Sequence, residues 1–194
     1  MVIFSIFIST ILLSPHQHII HHQHAKNKLS ILELSDSQLN SRIEAYLGSF
    51  CIPVKKAQWQ SLGQRAIPIL ETIVQNDTAL PSRRTAALAG LTALNSTSST
   101  TTIHTLANNT NEHVSLRFAA LRSLAALTQQ DKLESTLKPF MISAHDARIR
   151  AVAAEQLSIH SKGSKCSLVR QQLARENPKL RRIFARAALI CGDP

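Results

Sequence analysis

Four stretches of the chain repeat one arrangement of polar and apolar positions: RTAALAGL from Arg84, RFAALRSL from Arg117, RAVAAEQL from Arg150 and RIFARAAL from Arg182. The arginines stand 33, 33 and 32 residues apart. In every copy an Ala, Val or Phe follows the Arg by two residues, an Ala by three and a Leu by seven, a spacing that gathers them on one helical face. The small Ala lets a neighbouring helix approach closely. A second amphipathic stretch precedes each copy: AIPILETIV at 66–74, TIHTLA at 102–107, LESTLKPFMI at 133–142 and CSLVRQQLA at 166–174. Breakers and caps separate the two stretches: Asn76, Asp77 and Pro81, then Asn109 to Asn111, then His145 and Asp146, then Asn177 and Pro178. Each unit therefore reads as a helical hairpin, with units at about 64–95, 99–128, 131–160 and 164–192. Hairpins that cannot bury their faces alone stack on their neighbours, so the expected architecture is all-α, a right-handed α-α superhelix forming a short solenoid over 64–194.

Upstream, SDSQLNSRIEAYLGSF places Ile43, Tyr46, Leu47 and Phe50 at helical spacing, with Ser35 or Asp36 as the cap and Gly48 near the end. KKAQWQSLG offers a further short helix. Residues 36–62 are expected to form a helical cap over the open face of the first unit, anchored by a buried Trp59, with 26–35 as a linker. Before them, Val2 to Leu13 form an apolar run too short to span a bilayer and of the length of a secretory h-region, with Ala25 as the cleavage point. The expected location is the periplasm or cell envelope, with no membrane span after removal of the leader; a leader that does not act as a signal leaves the chain cytoplasmic.

Composition sharpens this picture at two points. Aromatics make up 4% of the 194 residues and there are only 5 glycines, which favours packed helices over sheets or a phosphate-cradling α/β fold. The net charge of +10 is not spread evenly: residues 1–25 carry no charged side chain, and from Pro81 onward 16 Lys and Arg face 7 Asp and Glu. Charge concentrates in the last unit, where Lys162, Lys165, Arg170, Arg175, Lys179, Arg181, Arg182 and Arg186 are opposed within 162–186 only by Glu176. Together with Arg122, the basic patch comprises Lys165, Arg170, Arg175, Lys179, Arg181 and Arg186. It suits an acidic surface or a polyanion, although the near absence of interleaved aromatics disfavours reading of single-stranded nucleic acid.

The repeated Arg followed by small and large apolar positions resembles HEAT-type repeats of the short bacterial kind, whose relatives include bilin lyase subunits and many exported proteins. The tetratricopeptide Trp, Gly and Tyr pattern and the ankyrin TPLH motif are absent. The resemblance covers about residues 64–192. It implies a partner-binding surface on the second helices, and a stacking role for the recurrent Arg.

The ladder Arg84, Arg117, Arg150 and Arg182 admits two readings. The side chains form an anion-binding stripe, or each holds the stack together by pairing with an acid or carbonyl of a neighbouring turn; regular recurrence favours the second. Asp77, Glu112, Asp146 and Glu176 are the acids at hand, each four to seven residues before an Arg. Cys166 and Cys191 open and close the last unit, so they form a disulfide or serve as buried small apolar groups, with Cys51 apart. His16, His18, His21, His22 and His24 lie between leader and folded part without an acidic or Cys ligand, and no metal or other cofactor is expected. The sequence contains no nucleophile with a base, no paired carboxylates and no Gly-rich loop. The expected function is a non-catalytic scaffold that binds a protein partner, not a small molecule, through the second helices. The alternatives are an enzyme subunit of the HEAT-like lyase type, or an anion-binding module using the last unit. HEAT-like DNA glycosylases use Trp, Asp and basic residues, of which only Trp59 has a counterpart candidate here.

Overall fold

A computed structural model of the chain describes residues 34–49 and 52–192. The apolar leader, the histidine run, Phe50 and Cys51 lie outside them. Among the described residues there are ten α-helices, two 3-10 segments and no strand, so the chain is all-helical. None of these helices is long and apolar enough to cross a membrane.

The N-terminal part holds α1 (Asp36–Leu47) and α2 (Lys56–Gln60). Ser35 caps α1 in a reciprocal capping box with Gln38, which satisfies two amide groups that a helix start leaves without partners. Leu39, Ile43 and Leu47 line the buried side of α1, and Trp59 on α2 is buried with its ring edge-on to Tyr46 at 5.2 Å. Two ion pairs tie α1 to the helices after α2, Arg65 with Asp36 and Arg83 with Glu44.

Four helix pairs make up the remainder. The first is α3 (Ala66–Gln75) with α4 (Pro81–Ala93), the second α5 (Thr100–Asn108) with α6 (Val114–Leu127), and the third α7 (Leu133–Ser143) with α8 (Ala147–His160). The last is α9 (Cys166–Arg175) with the 3-10 segment Pro178–Phe184 and α10 (Ala185–Ile190). Members of a pair pack on each other, and α4, α6, α8 and α10 pack in series. Local chemistry sets the boundaries. Pro81 starts α4 where its missing N–H costs nothing, and Asp146 caps α8 by accepting from the Arg148 amide. Asn95 (φ 57°) and Lys162 (φ 51°) close α4 and α8 in the left-handed region. In both, the next residue's amide reaches back to the helix, Ser96 N to Leu91 O and Gly163 N to Ser158 O, which satisfies orphan carbonyls in a Schellman motif.

The repeated face is the core. Ala87, Ala120 and Ala153, three residues after their arginines, and Leu91, Leu124 and Leu157, seven after them, are completely buried. Each such Leu contributes roughly 2 kcal/mol by removal from water. The last copy departs from the expected helix: from Pro178 through Phe184 it winds as a 3-10 turn, three residues per turn rather than 3.6. Each residue of that segment advances about 20° further than in an α-helix. Phe184 still enters the core, but Ala185 is exposed and Leu189, the counterpart of Leu157, is 81% exposed.

Gly90 on α4 makes room for the N-terminal cap. A Cβ there would stand 2.9 Å from both Leu70 Cδ1 and Trp59 Cε3. The rigid indole cannot yield as a flexible side chain would, so overpacking outweighs the gain in helix propensity of about 1 kcal/mol. Gly90→Ala is therefore expected to destabilise the chain by about 1–2 kcal/mol. The single Trp reports this site directly, and a variant with unchanged Trp59 emission and an unchanged melting temperature would refute the close packing.

Candidate interaction surfaces

The arginine ladder joins successive helix pairs, and three of its four members lie at the joints. Arg84, nearly buried at the start of α4, donates from Nε to Val74 O at 2.8 Å and from both terminal nitrogens to Glu112 at 2.8 and 2.7 Å. Arg150 on α8 repeats the arrangement. Its Nη1 donates to Ala144 O at 2.7 Å, while Nε and Nη2 hold Glu176 at 2.6 and 2.7 Å. Arg117 on α6 donates from Nε to Ala107 O at 3.1 Å, and its charge helps hold the Asp146 carboxyl below the usual range, after the larger effect of the Arg148 hydrogen bond. These three arginines each bind a carbonyl of their own pair, and Arg84 and Arg150 also pair with an acid of the next one.

The acids are therefore shared out differently from their order in the sequence. Glu112 and Glu176 do not pair with Arg117 and Arg182, the arginines that come soon after them, but with Arg84 and Arg150 of the preceding pair. Hydrogen bonds from Arg150 hold the Glu176 carboxyl below the usual carboxylate range; burial opposes this and Gln172, donating at 2.8 Å, reinforces it. Arg182 breaks the series. It lies in the 3-10 segment, exposed, with no ion pair among the described residues.

The residues of the predicted basic patch differ in their surroundings. Arg122 projects from α6 far along the chain from the last pair and lines a groove with residues of α4 and α8. Lys165 pairs with Glu134 at 2.8 Å and Arg186 with Glu155 at 3.2 Å, both acids coming from the preceding pair. Arg170 donates to the Cys191 carbonyl at 2.8 Å. Arg175, Lys179 and Arg181 remain exposed without an ion pair among the described residues. Glu176, the one acid within residues 162–186, is taken by Arg150, and the acids that meet Lys165 and Arg186 come from outside that range. Cys166 and Cys191 are joined in a disulfide across 25 residues.

The groove beside Arg122 encloses about 570 Å³. Its walls come from three successive second helices: Thr85, Ala89 and Thr92 on α4, Ala119, Ser123 and Ala126 on α6, and Gln156 and His160 on α8. Val54, Lys56 and Trp59 close one end. The hydroxyl of Thr85 is buried without a hydrogen-bond partner, and burial pushes the His160 imidazole down. The sequence pattern singled out Arg122 and Trp59 but not the rest of this lining; the signal was present as small residues recurring at three- and four-residue intervals, such as Ala119, Ser123 and Ala126. Among the described residues no three His, Cys, Asp or Glu side chains gather as a metal set. Compared with known proteins, the chain matches no family model, no curated protein and no solved structure.

Proposed function

We propose that the chain is a non-catalytic HEAT-like repeat scaffold whose helix pairs form a right-handed superhelix, and that a protein partner docks along the groove of α4, α6 and α8. The observation that carries this reading is the groove itself. It runs across three units, offers a floor of Ala, Ser and Thr that admits close approach of another backbone, and carries two exposed cations, Arg122 on α6 and Lys56 on α2. The arginine joints support the same assignment from the other side. A ladder engaged in holding units together leaves partner binding to the remaining faces. Export fits this scheme, because a disulfide between Cys166 and Cys191 persists in an oxidising compartment.

A photo-crosslinking residue at exposed Ala126, in cells that express the protein natively, is expected to give one discrete adduct. The same residue at Ser135, an exposed position of α7, is expected to give none. Arg122→Glu should abolish the Ala126 adduct while shifting stability by no more than about 0.5 kcal/mol, as for other exposed substitutions. Equal adducts from both positions, or an adduct indifferent to Arg122→Glu, would remove the groove as the docking site.

A further inference from the structure

The outer side of the last helix pair carries an unfinished version of the joint that connects the earlier ones. At the two complete joints an arginine reaches forward to a glutamate 28 or 26 residues on, and that glutamate lies in the turn just before the next second helix: Glu112 before His113, the cap of α6, and Glu176 before Asn177, the cap of the 3-10 segment. Arg182 is the next arginine in this series and faces no acid among the described residues. Beside it runs a groove of about 660 Å³ between α9 and the 3-10 segment with α10. Its floor is Leu173, Ala185, Ala188 and Leu189, and its rims are Arg170, Arg181 and Arg182. Leu189 lines this groove, and Leu180, Ile183 and Ile190 of the same segment are exposed as well, so half of the large exposed apolar side chains of the described residues fall within eleven residues.

We propose that this end binds an acidic amphipathic helix of a partner protein. Its apolar face lies against Leu173 and Leu189, and a carboxylate in its N-terminal turn sits on Arg182 as Glu112 sits on Arg84. Charge complementarity selects the occupant. Lys162, Arg170, Arg175, Lys179, Arg181 and Arg182 are cations without an ion pair among the described residues, and Glu176 is turned inward to Arg150. A second copy meeting this end with its own would bring those cations together, and the opposite end of the helix series is covered by α1 and α2. A polyanion would match the charge but leave Leu189 in water, and the rim has no aromatic side chain on which bases could stack. A helix with an acidic turn uses the apolar floor and the guanidinium groups together.

The test is a titration of the full chain, disulfide intact, with a fluorescent designed 20-residue peptide that has leucines at i, i+3, i+4 and i+7, an acidic opposite face and a Glu in its first turn. An isomer of equal charge with the leucines scattered serves as control. The proposal expects saturable binding of the amphipathic peptide, at least tenfold weaker for the scattered isomer, and at least tenfold weaker with Arg182→Gln or with Leu189→Glu. Arg42→Gln, an exposed change on α1, should leave it unaltered, and circular dichroism should show all three variants folded as the parent. Equal binding of the two isomers, loss of affinity only with salt and not with Leu189→Glu, or binding of phosphatidylserine vesicles or duplex DNA in place of the peptide would overturn it.

Discussion

Arg150→Met is expected to lower stability at neutral pH by about 4 kcal/mol, near ~8–16 °C in melting temperature for a chain of this size. The side chain of Arg150 is 15% exposed and that of Glu176 is 4% exposed, so the pair is largely withdrawn from solvent. Removing the guanidinium leaves Glu176 as a buried carboxylate whose remaining partner is Gln172. Desolvation of an uncompensated charge is the dominant cost, larger than the net worth of the intact pair. The double change Arg150→Met with Glu176→Leu should therefore recover most of the loss, because it removes the orphaned charge as well as its partner. Thermal melts of the parent and the two variants check this, and a single variant as stable as the parent would show that the joint contributes nothing to stability.

The same pair sets a pH dependence. In the folded chain the Glu176 carboxyl is held below its ordinary value near 4.5, chiefly by Arg150. Its contribution is therefore present above the unfolded value and is lost as pH falls below about 4.5 and through the folded value. Asp146, also held low, by its hydrogen bond to Arg148, acts in the same direction. In Arg150→Met the burial that opposes ionisation is left without its counterweight, so protonation relieves the strain. The gap between parent and variant should narrow as pH falls toward 3, and a gap independent of pH would point to lost packing rather than lost charge.

Opening the Cys166–Cys191 disulfide is the second large effect. The bridge closes a separation of 25 residues, which in the chain-entropy model is worth about 3.5 kcal/mol at 25 °C. The loss should be local. The last pair holds to the rest mainly through α8, and α9 and α10 touch each other at few points besides the bridge and the Arg170 bond to the Cys191 carbonyl. Hydrogen exchange of Cys191→Ser is expected to show residues 166–190 losing protection while α4 and α6 keep theirs. A reduced protein that melts within 1–2 °C of the oxidised one, well short of the ~7–14 °C this loss implies, would dismiss the bridge as a stabilising element.

Much of the helical organisation was legible in the sequence because it depends on short-range chemistry. The positions three and seven after Arg84, Arg117 and Arg150 fall on one face by the 3.6-residue turn alone, and all six are buried. Ser35, Pro81, Asp146 and Asn177 act as starts through bonds or backbone constraints that reach no further than three residues. Trp59 was recognisable as an anchor, although the close approach of Gly90 that seats it was not, since Trp59 and Gly90 are far apart in the chain.

The functional surfaces were less legible. Arg182 matches the other three arginines letter for letter, yet Pro178 begins a 3-10 turn that changes the phase of everything after it. Lys165 and Arg186 look like free charge in sequence and are met by Glu134 and Glu155 from the pair before. By itself, then, the sequence determined the helices, their ends, the buried Ala and Leu faces and the drift of positive charge toward the last pair, because periodicity and capping are local. Only the tertiary structure decided that Arg84 and Arg150 take the acid of the following pair, that two acids meet Lys165 and Arg186, and that Leu189 is left outside. The ion pairs depend on the offset between helices 26–31 residues apart in sequence, which no local pattern encodes, and the exposure of Leu189 follows from the change of phase begun at Pro178.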